Sequence, residues 1–283
     1  MTNIFRVQLQ PAYVLHQRPY RDTSAIVDVF SEEYGRHSLV AKGLKRPKSK
    51  LRGLIQPFQP LLISWVGKTE LGTLTDAELV HSVAMKSRYL PSAFYLNELL
   101  LKLLHRDDPH SDIFASYHNA LEKFRQLSGQ DEDELLWQAH LRCFEIELLQ
   151  SLGYGLVLDH DVISQSSIVA EARYEYVLDR GPVLWSQDHS DQVAMTVSGN
   201  TLLALCDPPR LIAAAGEKDE KARGVFKEAK RLLRSVIDYQ LGNKSLHSRE
   251  LFVNVSSRQR AASLSTLSID DSNESEMNVQ EAG

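Results

Sequence analysis

Between Phe5 and Val80 apolar and polar residues alternate over short runs, in FRVQLQPAYVLHQRPY, then TSAIVDVFSEEYGRHSLVAKG, then QPFQPLLISWVGKTELGTLTDAELV. Val, Ile, Thr and aromatic residues dominate the apolar positions, and turn residues punctuate them at Glu33-Tyr34-Gly35, Gly43, Gly53 and Gly67. A period of two bounded by such turns predicts four or five short antiparallel strands. About eighty residues with that many strands are expected to close into a small barrel, which removes the unpaired edges an open sheet would carry. Glu33 to Gly35 is expected to close a hairpin, and Val40 to Pro60 to join the third strand to the fourth at the barrel rim.

After Val80 the period lengthens. Ser92 is expected to open a helix through Leu104 whose apolar positions cover most of its circumference, which marks a central helix. Ser111 is the expected N-cap of a second, with Phe114, Tyr117, Leu121, Phe124 and Leu127 in one stripe and Gly129 as its stop. A third is expected to begin at Asp131, with Glu134 placed as in a capping box, and to end at Gly153. From 154 to 215 the pattern is irregular. Within it Tyr174 to Leu178 and Val183 to Trp185 flank a turn, so they predict a hairpin, and Thr201 to Leu205 a short helical turn. A long helix over Glu217 to Leu241 follows, supported by Glu217 and Lys221 at i,i+4 and stopped by Gly242. The Ser-rich residues after 255 carry five acids beyond Arg260 and are expected to be a disordered tail. The expected organisation is therefore an α+β multidomain chain: a barrel domain over 1–83, a helical domain over 84–255 with an irregular insert at about 154–215 and a basic helix at 217–241, and a tail over 256–283.

Charge changes this picture more than composition does. With 43 % hydrophobic and 24 % charged residues, the chain has the composition of a soluble globular protein. The N-terminus lacks a basic segment followed by an apolar run, and the most apolar segment, Ala93 to Leu104, is broken by Asn97, Glu98 and Lys102. Neither export nor membrane insertion is expected, which places the protein in the cytoplasm. Cys143 and Cys206 stand without partners at ligand spacing and read as free thiols. The interval from Arg36 to Lys68, however, contains no acid and eight Lys or Arg, so the rest of the chain carries −13 against a total of −5. Lys42, Lys45, Arg46, Lys48, Lys50 and Arg52 fall within eleven residues. Cationic charge concentrated in this way suits a polyanion. A second row, Arg223, Lys227, Lys230 and Arg234, is spaced to share one helix face.

Catalytic motifs are missing. Gly67-Lys68-Thr69 lacks the glycine five residues earlier that a phosphate-binding loop requires, since Leu62 stands there. Asp159-His160-Asp161 has no fourth ligand in view, and Asp107-Asp108 before a proline reads as a turn. These patterns point to a binding protein with no catalytic residues, cofactor or metal.

Several segments together resemble the bacterial recombination-mediator family RecO. They are the run from YVLHQRPYRDTSAIVDVF to GLIQPFQPLL, then FYLNELLLKLL, LRCFEIELLQSLGYG and LGNKSLHSREL, in that family's order. The resemblance spans roughly Val7 to Phe252. It implies an N-terminal OB-fold barrel and a helical domain. It further implies binding of single- and double-stranded DNA, annealing of complementary strands, and help in replacing single-strand-binding protein by the RecA recombinase, in company with RecR and near the nucleoid. Some members carry a four-cysteine zinc site after the Gly-Tyr-Gly segment; here Gly153-Tyr154-Gly155 is followed by no cysteine until Cys206, so zinc is not implied.

On this reading Arg36, Lys42, Lys45, Arg46, Lys48, Lys50 and Arg52 neutralise phosphates, and Arg223, Lys227, Lys230, Arg234, Lys244 and Arg249 take a second strand or a duplex. Tyr34 is a candidate to stack bases, while Phe58 is expected in the core. The resemblance implies a partner, single-strand-binding protein, that ends in an acidic, apolar tail, and Arg142 is the candidate anchor for it. The basic loop alone would equally suit an OB-fold RNA-binding or translation-associated module.

Overall fold

The computed structural model describes residues 5–67, 71–82, 84–130, 133–186 and 195–250. The expected helix start at Asp131, Lys68-Thr69 and the expected disorder of 256–283 fall outside these residues. Five strands form the N-terminal part: β1 (Phe5–Tyr20), β2 (Ser24–Ser31), β3 (Gly35–Ala41), β4 (Leu61–Gly67) and β5 (Leu71–Leu79). They close in the order β1-β2-β3-β5-β4, with β4 returning to β1.

Two features make closure possible. β1 is long enough to pair with β4 over Phe5 to Ala12 and with β2 over Ala12 to Tyr20. It carries one register shift within each pairing, and at the shift against β4 Leu9 has φ +48 and donates its amide to Ser64 Oγ. The last gap is filled by β3 and β5, which pair in parallel over Ser38 to Val40 and Leu71 to Thr73. Inward positions alternate as the sequence requires, with Val27, Val29, Leu39, Ile63 and Trp65 buried together.

The helical part comprises α2 (Leu90–Leu103), α3 (Ser111–Gln126), α4 (Glu134–Ser151), α5 (Gly199–Cys206), α6 (Pro208–Glu217) and α7 (Glu220–Leu241); α1 (Leu51–Leu54) is a single turn inside the basic stretch. The expected helix starts shift. Pro91, with no amide to lose, lies in the first turn of α2, and Ser92 is inside the helix, its buried hydroxyl accepting from Trp137 Nε1 at 3.1 Å. His110, not Ser111, precedes α3; α4 is described from Glu134 with Asp133 before it, and the expected capping box, which needs Asp131, lies outside the described residues. The expected helix over 217–241 is two helices. Lys218 at φ +55 ends α6, and Asp219 Oδ1 accepts from the Ala222 amide at 2.7 Å to cap α7. Glu217 and Lys221 therefore lie on different helices. The irregular insert contains the expected hairpin, β6 (Arg173–Val177) with β7 (Gly181–Leu184), and a third strand, β8 (Met195–Ser198), in the order β7-β6-β8. No helix among the described residues is long and apolar enough to cross a membrane.

Barrel and helices share side chains. Tyr13, Leu15, Phe30 and Phe58 leave the barrel wall and pack in the helical core. Asn97 of α2 donates to Leu15 O at 2.8 Å and accepts from the Tyr117 hydroxyl at 2.5 Å. Tyr13 meets His118 Nδ1 at 2.5 Å and stacks edge-on against Tyr117 at 5.1 Å, and burial pushes its hydroxyl up to about 12. Arg125, with its side chain 2 % exposed, donates to Phe58 O and pairs with Glu122.

The β2–β3 hairpin docks on the loop after α2, where the Asp107 amide donates to Arg36 O at 3.1 Å and His37 pairs with Asp107. Burial lowers the His37 pKa, although Asp107 pulls it up; His140 is lowered too, by burial and then by Lys123. An unfolded imidazole, near 6.5, thus binds a proton more readily than either folded one. Stability is expected to decline as pH falls from about 6.5 through the lowered folded values, read as the urea midpoint at pH 7 and pH 5.5. His37→Gln should flatten that decline, and an unchanged slope would remove His37 from it.

Candidate nucleic-acid interface

The basic stretch is a pinned rim. Leu44 and Ile55 are buried in the barrel core, 5 % and 1 % exposed, with Leu51 packed against it. Between these anchors the main chain runs through consecutive turns: Arg46 N to Gly43 O, Ser49 N to Arg46 O, Arg52 N to Ser49 O and Ile55 N to Leu51 O, at 2.9 to 3.3 Å. The Lys45 amide donates to Thr23 O at 2.9 Å, tying the rim to the β1–β2 turn. Gly43, at φ +68, supplies the bend that leaves β3.

Lys42, Lys45, Arg46, Lys48, Lys50 and Arg52 are all exposed, and none is in an ion pair among the described residues. Cations without acid partners keep their full attraction for an external anion. Beneath Lys45 and Arg52 lies an open cleft of about 490 Å³, walled by Gln17, Arg18 and Pro19 of β1, Ala25 of β2, and Gln56. Arg18 was not visible as a site residue because only closure of the barrel brings β1 beside this rim. The exposed Arg21, whose guanidinium lies 5.2 Å from the Tyr20 ring centroid, sits in the same β1–β2 turn.

Arg36 departs from the other six. Its guanidinium donates to Leu104 O at 3.1 Å, and burial together with Arg106 lowers its pKa, so it holds the hairpin to the helices. Phe58 is in the core as expected, edge-on to Phe94 at 4.9 Å, and Tyr34 turns its ring inward, edge-on to Trp65 at 5.3 Å.

Arg223, Lys227, Lys230 and Arg234 form an exposed row on α7. At the end of this row Asp238 receives Arg249 at 2.6 Å and Arg234 at 3.7 Å, and Lys244 donates to Lys102 O at 3.2 Å. Glu98 completes this end, accepting from the His247 and Ser248 amides and pairing with Lys102 at 2.9 Å, and it is held down at about 2. Arg142 of α4 is 6 % exposed and pairs with Glu145 at 2.8 Å, while its Nε has no partner among the described residues. Burial pushes Glu145 up, against the pull of Arg142 and Tyr95.

Among the described residues no group of His, Cys, Asp and Glu is arranged to hold a metal ion. Asp161 accepts the Ile163, Ser164 and Leu184 amides at 2.5 to 2.8 Å, and His160 pairs with Asp159 at 2.7 Å.

Residues 6–83 match the family described as recombination protein O N terminal, and residues 88–250 match recombination protein O C terminal. The chain is 46 % identical over 248 residues to the DNA repair protein RecO of Nitrosococcus oceani, covering 87 % of this chain and 93 % of that protein. It is 42 % identical to the DNA repair protein RecO of Nitrosospira multiformis and of Dechloromonas aromatica, covering 87 % of this chain and 95 % and 96 % of those proteins. Two family segments in order across nearly all the described residues, with relatives matched almost end to end, show that the chain belongs to the RecO family of DNA repair proteins.

Proposed function

We propose that the chain is a non-enzymatic recombination mediator whose barrel is an OB-fold binding single- and double-stranded DNA. The observation that carries this reading is the row of six exposed cations, unpaired among the described residues, on a pinned rim beside the Arg18 cleft. Point charges that neutralise phosphates release counterions and ignore base identity. A strand held by its phosphates keeps its bases free, so two complementary strands whose repulsion is screened can anneal without nucleotide hydrolysis. The α7 row, with Lys244 and Arg249 at its end, is the proposed site of the second strand or of duplex. In the cell the protein works with RecR at the nucleoid and helps the RecA recombinase displace single-strand-binding protein. Arg142 is the proposed anchor for that protein's acidic tail, supported by its Nε, unpartnered among the described residues, and by the like charge of Lys230 on α7, which it opposes.

The test is annealing of complementary oligonucleotides coated with single-strand-binding protein, with and without that protein's acidic tail. Acceleration that depends on the tail is expected, and no acceleration with either form would overturn the reading. Six neutralised phosphates on a single strand further require log affinity to fall with log salt at a slope near about −4. A slope near zero would remove the rim from the mechanism.

A further inference from the structure

The α7 row is crowded with cations that its own fold leaves unbalanced. Lys230 is exposed, and burial, Arg142 and Arg234 in that order lower its pKa. The nearby acids among the described residues are few: Glu220 stands one turn before Arg223 on the same face, Glu145 is buried and paired with Arg142, Glu134 stands at the start of α4, and Asp238 is shared by Arg234 and Arg249. Glu228, on the same helix, is taken by Ser198, Thr201 and Arg173. Such a face stabilises a bound anion.

The sequence supplies one. Residues 261–283 contain five acids, Asp270, Asp271, Glu274, Glu276 and Glu281, and no Lys or Arg. Those five equal the chain's whole excess of 37 acidic over 32 basic residues, so residues 1–260 are neutral overall. The segment lies beyond the family match, which ends at residue 250. The described chain stops beside the row: Arg249 and Arg234 meet on Asp238, one residue before Glu250. Nineteen residues lie between Glu250 and Asp270, a tether that can span up to about 70 Å. The row from Arg223 to Arg234 is about 16 Å long at helical rise. The acids are thus tethered within reach of the row at an effective concentration of order millimolar.

We propose that the acidic segment Asp270–Glu281 docks on the α7 row of Arg223, Lys227, Lys230 and Arg234 as an intramolecular competitor for whatever anion that face binds. Docking itself follows from charge and tether; its consequence for DNA rests on the function proposed above. A polyanion with more charge, such as a DNA strand, displaces the segment, whereas a weak or short one does not. The tether thereby raises the threshold for engaging the second site without touching the barrel rim.

Two measurements on the full-length chain separate these statements. Zero-length carbodiimide coupling, read by mass spectrometry, joins a lysine ammonium to a carboxylate in direct contact. Linkage of Asp270, Asp271, Glu274 or Glu276 to Lys227 or Lys230 is expected, and its loss above about 0.5 M salt, where the Debye length is a few ångströms. Linkage to Lys45, Lys48 or Lys50 instead, or none at low salt, would overturn the docking whether or not the chain binds DNA. The second measurement uses Asp270→Asn, Asp271→Asn, Glu274→Gln, Glu276→Gln and Glu281→Gln together. This variant is expected to bind a labelled 261–283 peptide in trans, and to bind duplex DNA about fivefold more tightly than the parent at low salt. The gain should vanish when Arg223, Lys227 and Arg234 are also changed to Ala; a gain that persists there would show general charge repulsion and overturn the docking.

Discussion

Changing Lys45, Arg46, Lys48 and Lys50 together to alanine is expected to weaken single-stranded DNA binding several-hundredfold at about 0.1 M salt. Each phosphate contact on a single strand contributes about 0.7 to the salt slope, which near 0.1 M corresponds to roughly fivefold in affinity. Four contacts multiply, and the slope should fall from about −4 to about −1.4. The loss should be uniform across unrelated sequences, because phosphates carry no base information. The fold should be untouched: these four side chains are exposed and without ion pairs among the described residues, and the rim is held by main-chain bonds and by buried Leu44 and Ile55, which remain. Binding titrations on two sequences at several salt concentrations, beside a thermal melt, decide the matter. A drop in the melting midpoint with an unchanged slope would make the four residues structural.

That variant can be written down from the sequence because charge density is a local property. Six cations without an intervening acid are visible before any partner is placed. The strands were equally legible, since period-two alternation records only which face of a strand is buried, as at Val27, Val29, Ile63 and Trp65. Features set by distant residues were not. The parallel β3–β5 pair that closes the barrel, and the register shifts in β1, depend on neighbours far along the chain. Arg36 reads as one more cation until its partner, the Leu104 carbonyl 68 residues away, is in place. Ser92 has the chemistry of an N-cap, but the Trp137 indole takes its hydroxyl and Pro91 sits in the first turn of α2 ahead of it. The break before α7 had a local signal, Asp219 three residues before Ala222, which the apolar stripe running on through Leu241 obscured. In the insert, β8 is only four residues long and is fixed by pairing with β6, while α6, opened by Pro208-Pro209, packs on α4 and α5.

The hairpin that carries Arg36 gives the largest expected effect on stability. Gly35 lies at φ +67, and a Cβ there would stand 2.0 Å from Asp108 O and 2.5 Å from Asp108 C. Those are main-chain atoms of the loop after α2, and the Asp107 amide bonded to Arg36 O at 3.1 Å holds that loop against the hairpin. Gly35→Ala must therefore adopt a left-handed conformation, costing about 1 kcal/mol, and also force the hairpin off the helices. Overpacking a fixed contact adds about 1–3 kcal/mol, and separation strips Arg36 and His37 of their partners. A loss of about 3 kcal/mol, or roughly 6–12 °C in melting midpoint for a chain of this size, is the expected sum. Gly43→Ala is the internal comparison, since Gly43 has the same left-handed backbone, φ +68, but its Cβ would meet only the Arg46 side chain, at 3.4 Å. It should cost about 1 kcal/mol. The difference between the two isolates the clash at the barrel–helix seam, and equal destabilisation would mean that the hairpin does not brace the barrel against the helices. The salt slope of DNA binding should be unchanged in soluble Gly35→Ala protein, because the rim is anchored through Leu44 and Ile55 on the barrel itself.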